Sequence, residues 1–156
     1  MEQGKRTMQP TRLDLSALIA DVIVLMRSTA DLKDVTISLK SERMLVTADR
    51  EALRTILRNI LSNAIKFSPK GGVVEVGTKA PSSFYVHNNG EHLPQEQIDE
   101  IMHAKSRIVS RVGTNGESGT GVGLLLCREL VALNHGTMQI LSAPNEGGTM
   151  VINVPR

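Results

Sequence analysis

Three polar side chains recur at helical spacing inside an amphipathic segment. Asn59, Asn63 and Lys66 fall within about 60° of one another when the segment is drawn at roughly 100° per residue, beside the apolar residues Ile56 and Phe67. Asparagine is a mediocre helix former, so two of them one turn apart on the border of a buried face need a reason beyond propensity. An Asn carbonyl oxygen suits Mg²⁺, and a Lys ammonium can neutralise a phosphate. A solvated helix flank is the alternative interpretation.

A glycine-rich run opens the last apolar segment. The sequence Gly-Thr-Gly-Val-Gly-Leu at 119–124 places three alternate glycines where a helix would begin. Such a run leaves backbone amides bare at a positively polarised helix end, which predicts an anion-binding loop. Tight packing of a helix against a sheet would explain the same glycines. The run matches neither a P-loop, which needs Gly-Lys-Ser/Thr, nor a dinucleotide fold, which needs a strand directly before the glycines.

A basic stretch precedes the glycines. Lys105, Arg107 and Arg111 occur with no acid until Glu117, so residues 103–120 are locally cationic. They show no convincing period, which predicts a mobile loop that could close over phosphates. A solvated basic loop is the alternative.

The hydrophobic pattern predicts the elements that must hold these residues. Helices are expected from an N-cap at Asp14 onward, at 49–67 with Asp49 as N-cap, at 94–102 and at 122–134, and strands at 35–39, 44–48, 73–78, 84–87, 137–142 and 149–154. Close hairpins imply antiparallel pairing. The sequence therefore predicts a two-layer sandwich in which three helices cover the apolar side of one sheet.

Composition narrows the class of protein. The 156 residues fit about one domain, and no run approaches the roughly 18 apolar residues of a membrane span. A net charge of +2 and an aromatic content of 2% argue against nucleic-acid binding. The single cysteine, Cys127, excludes a disulfide framework and a multi-cysteine metal cluster, and the first residues lack the apolar core of a secretory signal. A reducing, cytoplasmic setting is expected.

The motifs in order resemble one family. An Asn-x-x-x-Asn-Ala-x-Lys-Phe helix, a strand ending in Asn-Gly, a Gly-Thr-Gly-Val-Gly-Leu helix start and a terminal Gly-Gly-Thr hairpin are similar to the catalytic ATP-binding domain of sensor histidine kinases. That family belongs with gyrase, Hsp90 and the mismatch-repair ATPases. The resemblance covers nearly all of 13–156, and it implies an α+β sandwich with a mixed, mainly antiparallel sheet under three helices. Residues 1–12 would be a linker or the end of an upstream dimerisation helix.

The resemblance also implies roles for individual residues. Asn63 would bind Mg²⁺, and Asn59 and Lys66 would be the catalytic residues that face the phosphates or the waters of the metal. The remaining nucleotide contacts would come from Phe67, Asn88, Gly90, Lys105, Arg107, Gly119, Thr120, Gly121, Gly123, Leu124 and Thr149. Hydrolysing relatives carry Glu, a general base, where this chain has Asn59, so transfer to a protein acceptor is favoured over hydrolysis.

One turn departs from the family pattern. The family has Asp-x-Gly-x-Gly at the turn that reads adenine, and this chain has Asn88-Asn89-Gly90-Glu91-His92. The Asn88 carbonyl could still accept a hydrogen bond from the adenine amino group, and its amide could donate to a ring nitrogen. A charge-assisted bond is stronger than a neutral one, so we expect ATP affinity about tenfold lower, not abolished.

The resemblance implies a fragment of a larger kinase. None of the four histidines has the family's acceptor pattern, and we assign them no catalysis. We therefore expect an ATP-dependent protein-histidine kinase domain that phosphorylates a His on a dimerisation domain outside this chain, within a protein that can be membrane-anchored, with a response regulator receiver domain as partner. This segment itself should touch neither membrane nor nucleic acid. The alternative is a degenerate domain that binds ATP weakly or not at all and acts as a regulatory or docking module. A DNA-binding domain is a third and disfavoured hypothesis.

Overall fold

The elements of the chain follow its hydrophobic pattern. A computed structural model describes residues 8–90, 96, 99, 119–143 and 147–156. The helices are α1 (Leu15–Leu32), α2 (Arg50–Phe67) and α3 (Gly119–Leu133). The strands are β1 (Pro10–Asp14), β2 (Thr36–Lys40), β3 (Leu45–Asp49), β4 (Val73–Lys79), β5 (Ser83–Asn88), β6 (Thr137–Ala143) and β7 (Gly147–Asn153). None of the helices in these ranges is both long and apolar enough to cross a bilayer.

Five strands form one mixed sheet in the order β2-β4-β5-β7-β6. The pair β2 and β4 is parallel, and every other pair in this sheet is antiparallel. Alternate residues of the strands point to the helical layer, as the strand period requires, and there they are buried. The predicted α+β sandwich with a mainly antiparallel sheet is confirmed.

The helices lie side by side on one face of this sheet. α1 packs beside β2, α2 lies over β5 and α3 lies beside β6. Each helix turns its apolar side to the sheet, and α2 contributes the largest set of buried side chains: Ala52, Leu53, Ile56, Leu57, Ile60, Leu61, Ala64 and Ile65. The central helix is therefore held on both flanks as well as from below, so that its polar edge has a fixed position.

Two boundaries differ from the prediction. Pro10, Thr11 and Arg12, expected in a linker, belong to β1, which pairs antiparallel with β3 in a separate two-stranded sheet. Their side chains are exposed, so no alternation marked them as a strand. α3 begins at Gly119 instead of 122. Glycine is a poor helix former, which hid this first turn, and packing against α2 overrides that propensity. Most of the predicted 94–102 helix and nearly all of the predicted 103–120 loop lie outside the described residues.

Candidate functional site

The start of α2 is fixed by a buried carboxylate. Asp49 is the N-cap, and its Oδ1 accepts a hydrogen bond from the backbone N–H of Ala52 at 2.9 Å. The backbone N–H of Asp49 donates to Oδ1 of Asn134 at 2.8 Å, and the Nδ2 of Asn134 donates to the carbonyl of Leu130 at 2.8 Å. The beginning of α2 is thus tied to the end of α3, so the two helices cannot slide past each other without breaking these bonds.

The end of α2 is capped by Lys33, the residue that follows α1. Nζ of Lys33 donates to the carbonyl oxygen of Lys66 at 2.7 Å and to that of Ile65 at 3.2 Å. A cation at the negative end of the helix dipole satisfies carbonyls that have no partner inside the helix. Ser68 follows as the C-cap and its Oγ donates to the carbonyl of Ala64 at 2.8 Å. Both ends of α2 are therefore fixed, and the Asn59 to Lys66 edge between them is held rigidly.

α3 runs antiparallel to α2, and the contacts along the pair show it. Asn134 contacts Asp49, the Sγ of Cys127 lies 3.7 Å from the carbonyl oxygen of Ile56, and Gly123 faces Asn59. A Cβ placed on Gly123 would lie 3.4 Å from Oδ1 of Asn59. The N-terminus of α3 therefore points along α2 toward the turn that carries Asn63. The two motifs that sequence analysis singled out separately face each other.

A cleft opens between the C-terminal half of α2 and the sheet. It encloses about 360 Å³ of space free of atoms, part of it open solvent. The lining residues come from four elements, and they are Ile60, Asn63, Ala64, Phe67, Val86, Asn88, Ile140, Ser142, Gly148, Thr149 and Met150. The walls are mainly apolar with a few convergent polar groups, which is the usual character of a small-molecule site. No carboxylate lines the cleft among the residues that the structure describes.

Asn88 brings an unsatisfied amide to this cleft. It is the last residue of β5, it pairs with Gly148 of β7, and only 7% of it is exposed. Its Nδ2 is buried and has no hydrogen-bond partner. A buried polar group without a partner costs free energy, so it requires an explanation. A ligand in the cleft that offers an acceptor would satisfy it.

Asn63 is the second buried amide of the cleft. It lies on α2 with 7% of its surface exposed, and none of the hydrogen bonds among the described residues involves its side chain. Its neighbour Asn59, one turn earlier, is half-buried and contacts Gly123 instead of lining the cleft. Two carboxamides one turn apart thus border the space between α2 and the start of α3, with the carbonyl of Asn63 available as an oxygen ligand.

The hydroxyl of Thr149 is held by a histidine. The backbone register places Thr149 opposite His87, and Nδ1 of His87 lies 2.7 Å from Oγ1 of Thr149. Nε2 of the same ring lies 3.0 Å from Oδ1 of Asn89. If a neutral imidazole donates from Nε2 to Asn89, Nδ1 accepts the proton of the Thr149 hydroxyl. His87 alternates with Val86 and Asn88, which face the cleft, so this hydroxyl is held on the other face of the sheet. The predicted role of Thr149 near adenine stays a prediction.

Two glycines, Gly90 and Gly147, pack closely against backbone carbonyl groups of residues that line the cleft. A Cβ on Gly90 would lie 2.1 Å from the carbonyl oxygen of Phe67, so only glycine lets this turn touch the end of α2. Gly147 has φ +71°, and a Cβ there would lie 1.8 Å from the carbonyl oxygen of Asn88. Both glycines are required by packing whether or not a ligand is bound, and the predicted ligand contact of Gly90 stays a prediction.

The structure places some of the predicted site residues in the cleft and others outside it. Asn63, Phe67, Asn88 and Thr149 line one cleft. Lys66 is exposed on the same helix, and Leu124 is fully buried in the core, where only its backbone could face a ligand. The remaining predicted residues of the glycine run, Gly119, Thr120 and Gly121, form the first turn of α3. Lys105 and Arg107 lie outside the described residues.

Sequence analysis missed several lining residues. Ile60 and Ala64 were predicted only as core, although they share with Asn63 and Phe67 the i, i+3, i+4, i+7 spacing of one helix face. Ser142, Gly148 and Met150 come from the last hairpin. Their place in the cleft depends on the register between β5 and β7, which no local pattern in the sequence specifies.

The residues present fit a magnesium-nucleotide unit. The described residues contain no cluster of three or more His, Cys, Asp or Glu side chains that could hold a metal alone. Mg²⁺ usually keeps several waters and takes only one or two protein ligands when phosphates supply the rest. A single carbonyl oxygen, that of the largely buried Asn63 in the cleft, suits this arrangement and would not suit a metal held entirely by protein.

The opposite face of the sheet carries a separate polar cluster. Oη of Tyr85 donates to Oε2 of Glu75 at 2.6 Å, and Nζ of Lys40 lies 3.7 Å from Oε1 of Glu75. The hydrogen bond from Tyr85 holds the pKa of Glu75 below its usual value; burial opposes this effect, and the charges of the nearby Lys40 and His87 add to it. The same bond to Glu75 raises the pKa of Tyr85 to about 12. This cluster braces the strand that carries His87 and Asn88.

Comparison with known proteins identifies the family. The model of the histidine kinase-, DNA gyrase B- and HSP90-like ATPases matches residues 48–156. The adaptive-response sensory kinase SasA of Synechococcus sp. (strain CC9311) is 32% identical over 152 residues, which are 94% of this chain and 39% of that protein. The sensor histidine kinase TmoS of Ectopseudomonas mendocina is 30% identical over 149 residues, 92% of this chain and 15% of that protein. The chain thus spans well under half of either relative.

Solved structures agree on the fold. The catalytic domain of histidine kinase ThkA in a nucleotide-free form superposes with a TM-score of 0.77 at 23% identity, covering 95% of this chain and 96% of that one. Full-length ShkA in complex with AMPPNP gives a TM-score of 0.78 at 24% identity over 96% of this chain and 32% of that one. With the family model covering well over half of the sequence, this chain belongs to the histidine kinase-, DNA gyrase B- and HSP90-like ATPases.

Proposed function

We propose that this chain is the ATP-binding catalytic domain of a sensor histidine kinase. The observation that carries the proposal is the joint placement of Asn59 and Asn63 on α2 beside the N-terminal turns of α3, next to a cleft with an unsatisfied amide at Asn88. The cleft would take the base, and the end of α3 would take the phosphates. These are the two chemically different halves of a nucleotide.

The chain would act mainly by positioning the nucleotide and its metal ion. The bare N–H groups and the dipole at the start of α3 favour negative charge, and Lys66 adds a cation on the adjoining edge of α2. Asn63 would hold Mg²⁺, which neutralises phosphate charge when bound. The apolar walls, Ile60 and Val86 among them, would exclude water from the base. Lys105 and Arg107 would close over the phosphates.

Transfer is favoured over hydrolysis because Asn59 stands where hydrolysing relatives carry a Glu base. An amide cannot accept a proton at neutral pH, so Asn59 cannot activate water. An imidazole nitrogen of an acceptor is itself nucleophilic and needs no such base. The γ-phosphoryl group would pass from ATP to that nitrogen with ADP as leaving group. The acceptor His would belong to a dimerisation domain outside this chain, and a response regulator receiver domain would take the phosphoryl group next.

A titration with ATP, with and without Mg²⁺, tests the proposal. We expect the thermal midpoint to rise with ATP and to rise further with Mg²⁺, since a ligand that binds only the folded state stabilises it by RT ln(1 + [L]/Kd). When the isolated dimerisation domain is added in trans with labelled ATP, it should acquire a phosphoryl group that is labile in acid. No saturable Mg-ATP binding below about millimolar concentration would reject the proposal.

Asn88 favours a second candidate, a domain that keeps the fold but serves as a regulatory or docking module. The family's carboxylate at this turn is replaced by an amide, which forms weaker hydrogen bonds than a charged group. That candidate predicts no nucleotide binding until Asn88→Asp restores the acid. Appreciable ATP affinity of the wild-type chain would reject it.

A further inference from the structure

We propose that the cleft accepts 6-oxopurine nucleotides, those of hypoxanthine or guanine, as well as adenine nucleotides, because Asn88 replaces a carboxylate with an amide that is free to present either a donor or an acceptor. The inference rests on the proposed function, since it concerns the same nucleotide site. It names a substrate class that a carboxylate facing position 6 of the base would disfavour.

The position of Asn88 makes it the polar group that a base would meet. It ends β5 on the face that looks toward α2, two residues after Val86, and both side chains line the cleft. A Cβ on the opposite residue, Gly148, would lie 3.7 Å from Oδ1 of Asn88. The carboxamide thus stands over a glycine, without a side chain on the paired strand to cover it.

Among the described residues, no hydrogen-bond partner of Nδ2 fixes the orientation of this amide. Nδ2 of Asn88 is buried and forms no hydrogen bond, although the residue is only 7% exposed. A rotation of 180° about the last side-chain bond therefore breaks no hydrogen bond at this nitrogen. It exchanges the positions of the donor and the acceptor. A carboxylate has no such choice, because both of its oxygens only accept.

The two purine classes differ in the atoms that they present to this group. Adenine offers an amino donor at position 6 beside a ring-nitrogen acceptor, whereas a 6-oxopurine offers an oxygen acceptor at position 6 beside an N–H donor at position 1. An ionised Asp would accept from the adenine amino group and would repel the lone pairs of a 6-oxo group. Asn88 can form two hydrogen bonds with either edge, in opposite amide orientations.

The other described residues of the cleft do not restore the discrimination between adenine and a 6-oxopurine that the carboxylate would give. The other side chains that face it are apolar except for Asn63 and Ser142, and none is an acid. Asn63 lies on α2 one turn after Asn59, which faces Gly123 of α3, and the Thr149 hydroxyl is engaged by His87 on the other face of the sheet. A matched pair of base hydrogen bonds discriminates between bases by roughly five- to 150-fold, and this is the factor that the amide forfeits.

Binding of three nucleotides tests the inference. We would measure Kd for Mg-ATP, Mg-ITP and Mg-GTP with the wild-type chain and with Asn88→Asp. For the wild type we expect the ITP and ATP values to agree within about tenfold, and for Asn88→Asp we expect the ratio of ITP to ATP to rise at least about tenfold. GTP differs from ITP only by its 2-amino group. Tight ITP binding with weak GTP binding would support recognition of the 6-oxo group and would overturn the inference for guanine nucleotides, because the 2-amino group would then be excluded.

Asn89→Asp is the matched control. It makes the same chemical change one residue later, at an exposed side chain that contacts His87 and does not line the cleft. Its ratio of ITP to ATP should stay at the wild-type value, which separates a local hydrogen-bond effect from a general effect of added negative charge.

The outcomes separate this inference from the proposed function. A wild-type chain that binds ATP and rejects ITP by more than about a hundredfold would overturn the inference and leave the proposed function intact. An unchanged ratio in Asn88→Asp, with both nucleotides bound, would also overturn it. Absence of binding by all three nucleotides would overturn the proposed function itself, and this inference with it.

Discussion

The side chain of Asn59 lies directly against Gly123, at a distance that leaves room for one methyl group and little more. A Cβ on Gly123 would be 3.4 Å from Oδ1 and 3.7 Å from Cγ of Asn59. The two residues are far apart in the sequence, and they meet because α3 runs antiparallel to α2 between the Asn134 to Asp49 contact and this point. The polar edge of α2 and the N-terminal turns of α3 thus form one continuous surface.

Gly123→Ala should make the fold more stable and at the same time weaken nucleotide binding. The new methyl group would make an ordinary contact with Asn59, and alanine is roughly 0.8–1 kcal/mol more favourable than glycine inside a helix. We therefore expect the thermal midpoint without nucleotide to rise by about 2–4 °C. The same methyl group would occupy the approach to Asn59 and weaken Mg-ATP binding about tenfold. Calorimetric binding and a melting curve measure the two effects, and an unchanged Kd would show that phosphates do not approach α3 here.

Asn63→Ala should lose the metal-dependent part of ATP binding. Asn63 is largely buried and lines the cleft, so its replacement by alanine takes away the proposed Mg²⁺ ligand. We expect Kd for ATP to rise at least about tenfold in Mg²⁺ and to change little in EDTA. Stability should change by less than about 1 kcal/mol, because no internal hydrogen bond is broken and alanine is the better helix former.

Ser62→Ala provides the matched control for Asn63→Ala. Ser62 is the preceding residue of α2, it is exposed, and it does not line the cleft. Its Kd for Mg-ATP should equal the wild-type value. Equal losses in the two variants, or an Asn63→Ala variant that still responds fully to Mg²⁺, would contradict the role given to Asn63.

The sequence predicted local structure well and the shape of the cleft poorly. The caps at Asp14 and Asp49 and the end of α2 at Phe67 were correct because each depends on side chains within a few residues. The positions of Ser142 and Gly148 depend on strand register, which is decided by packing across the sheet. The pairing of Thr149 with His87 is hidden for the same reason. Motif spacing singled out several residues that line one cleft, and only the tertiary structure shows which residues face one another.

Gly147→Ala should be strongly destabilising, and Gly71→Ala only mildly so. Both glycines have positive φ, +71° and +84°, where a side chain is strained. A Cβ on Gly147 would collide with the carbonyl oxygen of Asn88 at 1.8 Å, whereas a Cβ on Gly71 would meet nothing within 4 Å. We expect losses of about 2–5 kcal/mol at Gly147 and about 1 kcal/mol at Gly71. Urea unfolding compares them, and equal losses would show that the collision is relieved by movement of the hairpin.

Tyr85 should ionise at unusually high pH in the folded chain. It is the only tyrosine and there is no tryptophan, so the near-ultraviolet absorbance of tyrosinate reports this residue alone. Its hydrogen bond to Glu75 raises its pKa to about 12 from an ordinary value of 10.0. Glu75→Gln should bring the spectroscopic midpoint back toward 10.0 while circular dichroism shows a folded chain. A wild-type midpoint near 10.0 in folded protein would contradict the interaction.

The hydrogen-bonded pair of Tyr85 and Glu75 also determines the direction in which stability changes with pH. The folded pKa of Glu75 is depressed, so its contribution is complete above the ordinary value of 4.5 and is lost as the pH falls through the folded pKa. The folded pKa of Tyr85 is raised, so its contribution is complete below 10.0 and is lost as the pH rises through about 12. In urea melts, the free energy of unfolding of Tyr85→Phe should therefore fall furthest below the wild-type value between these two pH limits. The loss is a few tenths to about 1 kcal/mol, because Glu75 is partly exposed.

Cys127 should report the opening of α3 and its suppression by nucleotide. The single thiol is fully buried against α2, and burial raises its pKa to about 12, so it is protonated and inaccessible in the folded state. Labelling by a maleimide should require α3 to separate from α2, which also destroys the surface shared by Asn59 and Gly123. Saturating Mg-ATP at 100 times Kd should then slow labelling about a hundredfold in the regime where reclosing outpaces reaction. Labelling that is fast without denaturant, or indifferent to bound nucleotide, would show that α3 opens independently of the site.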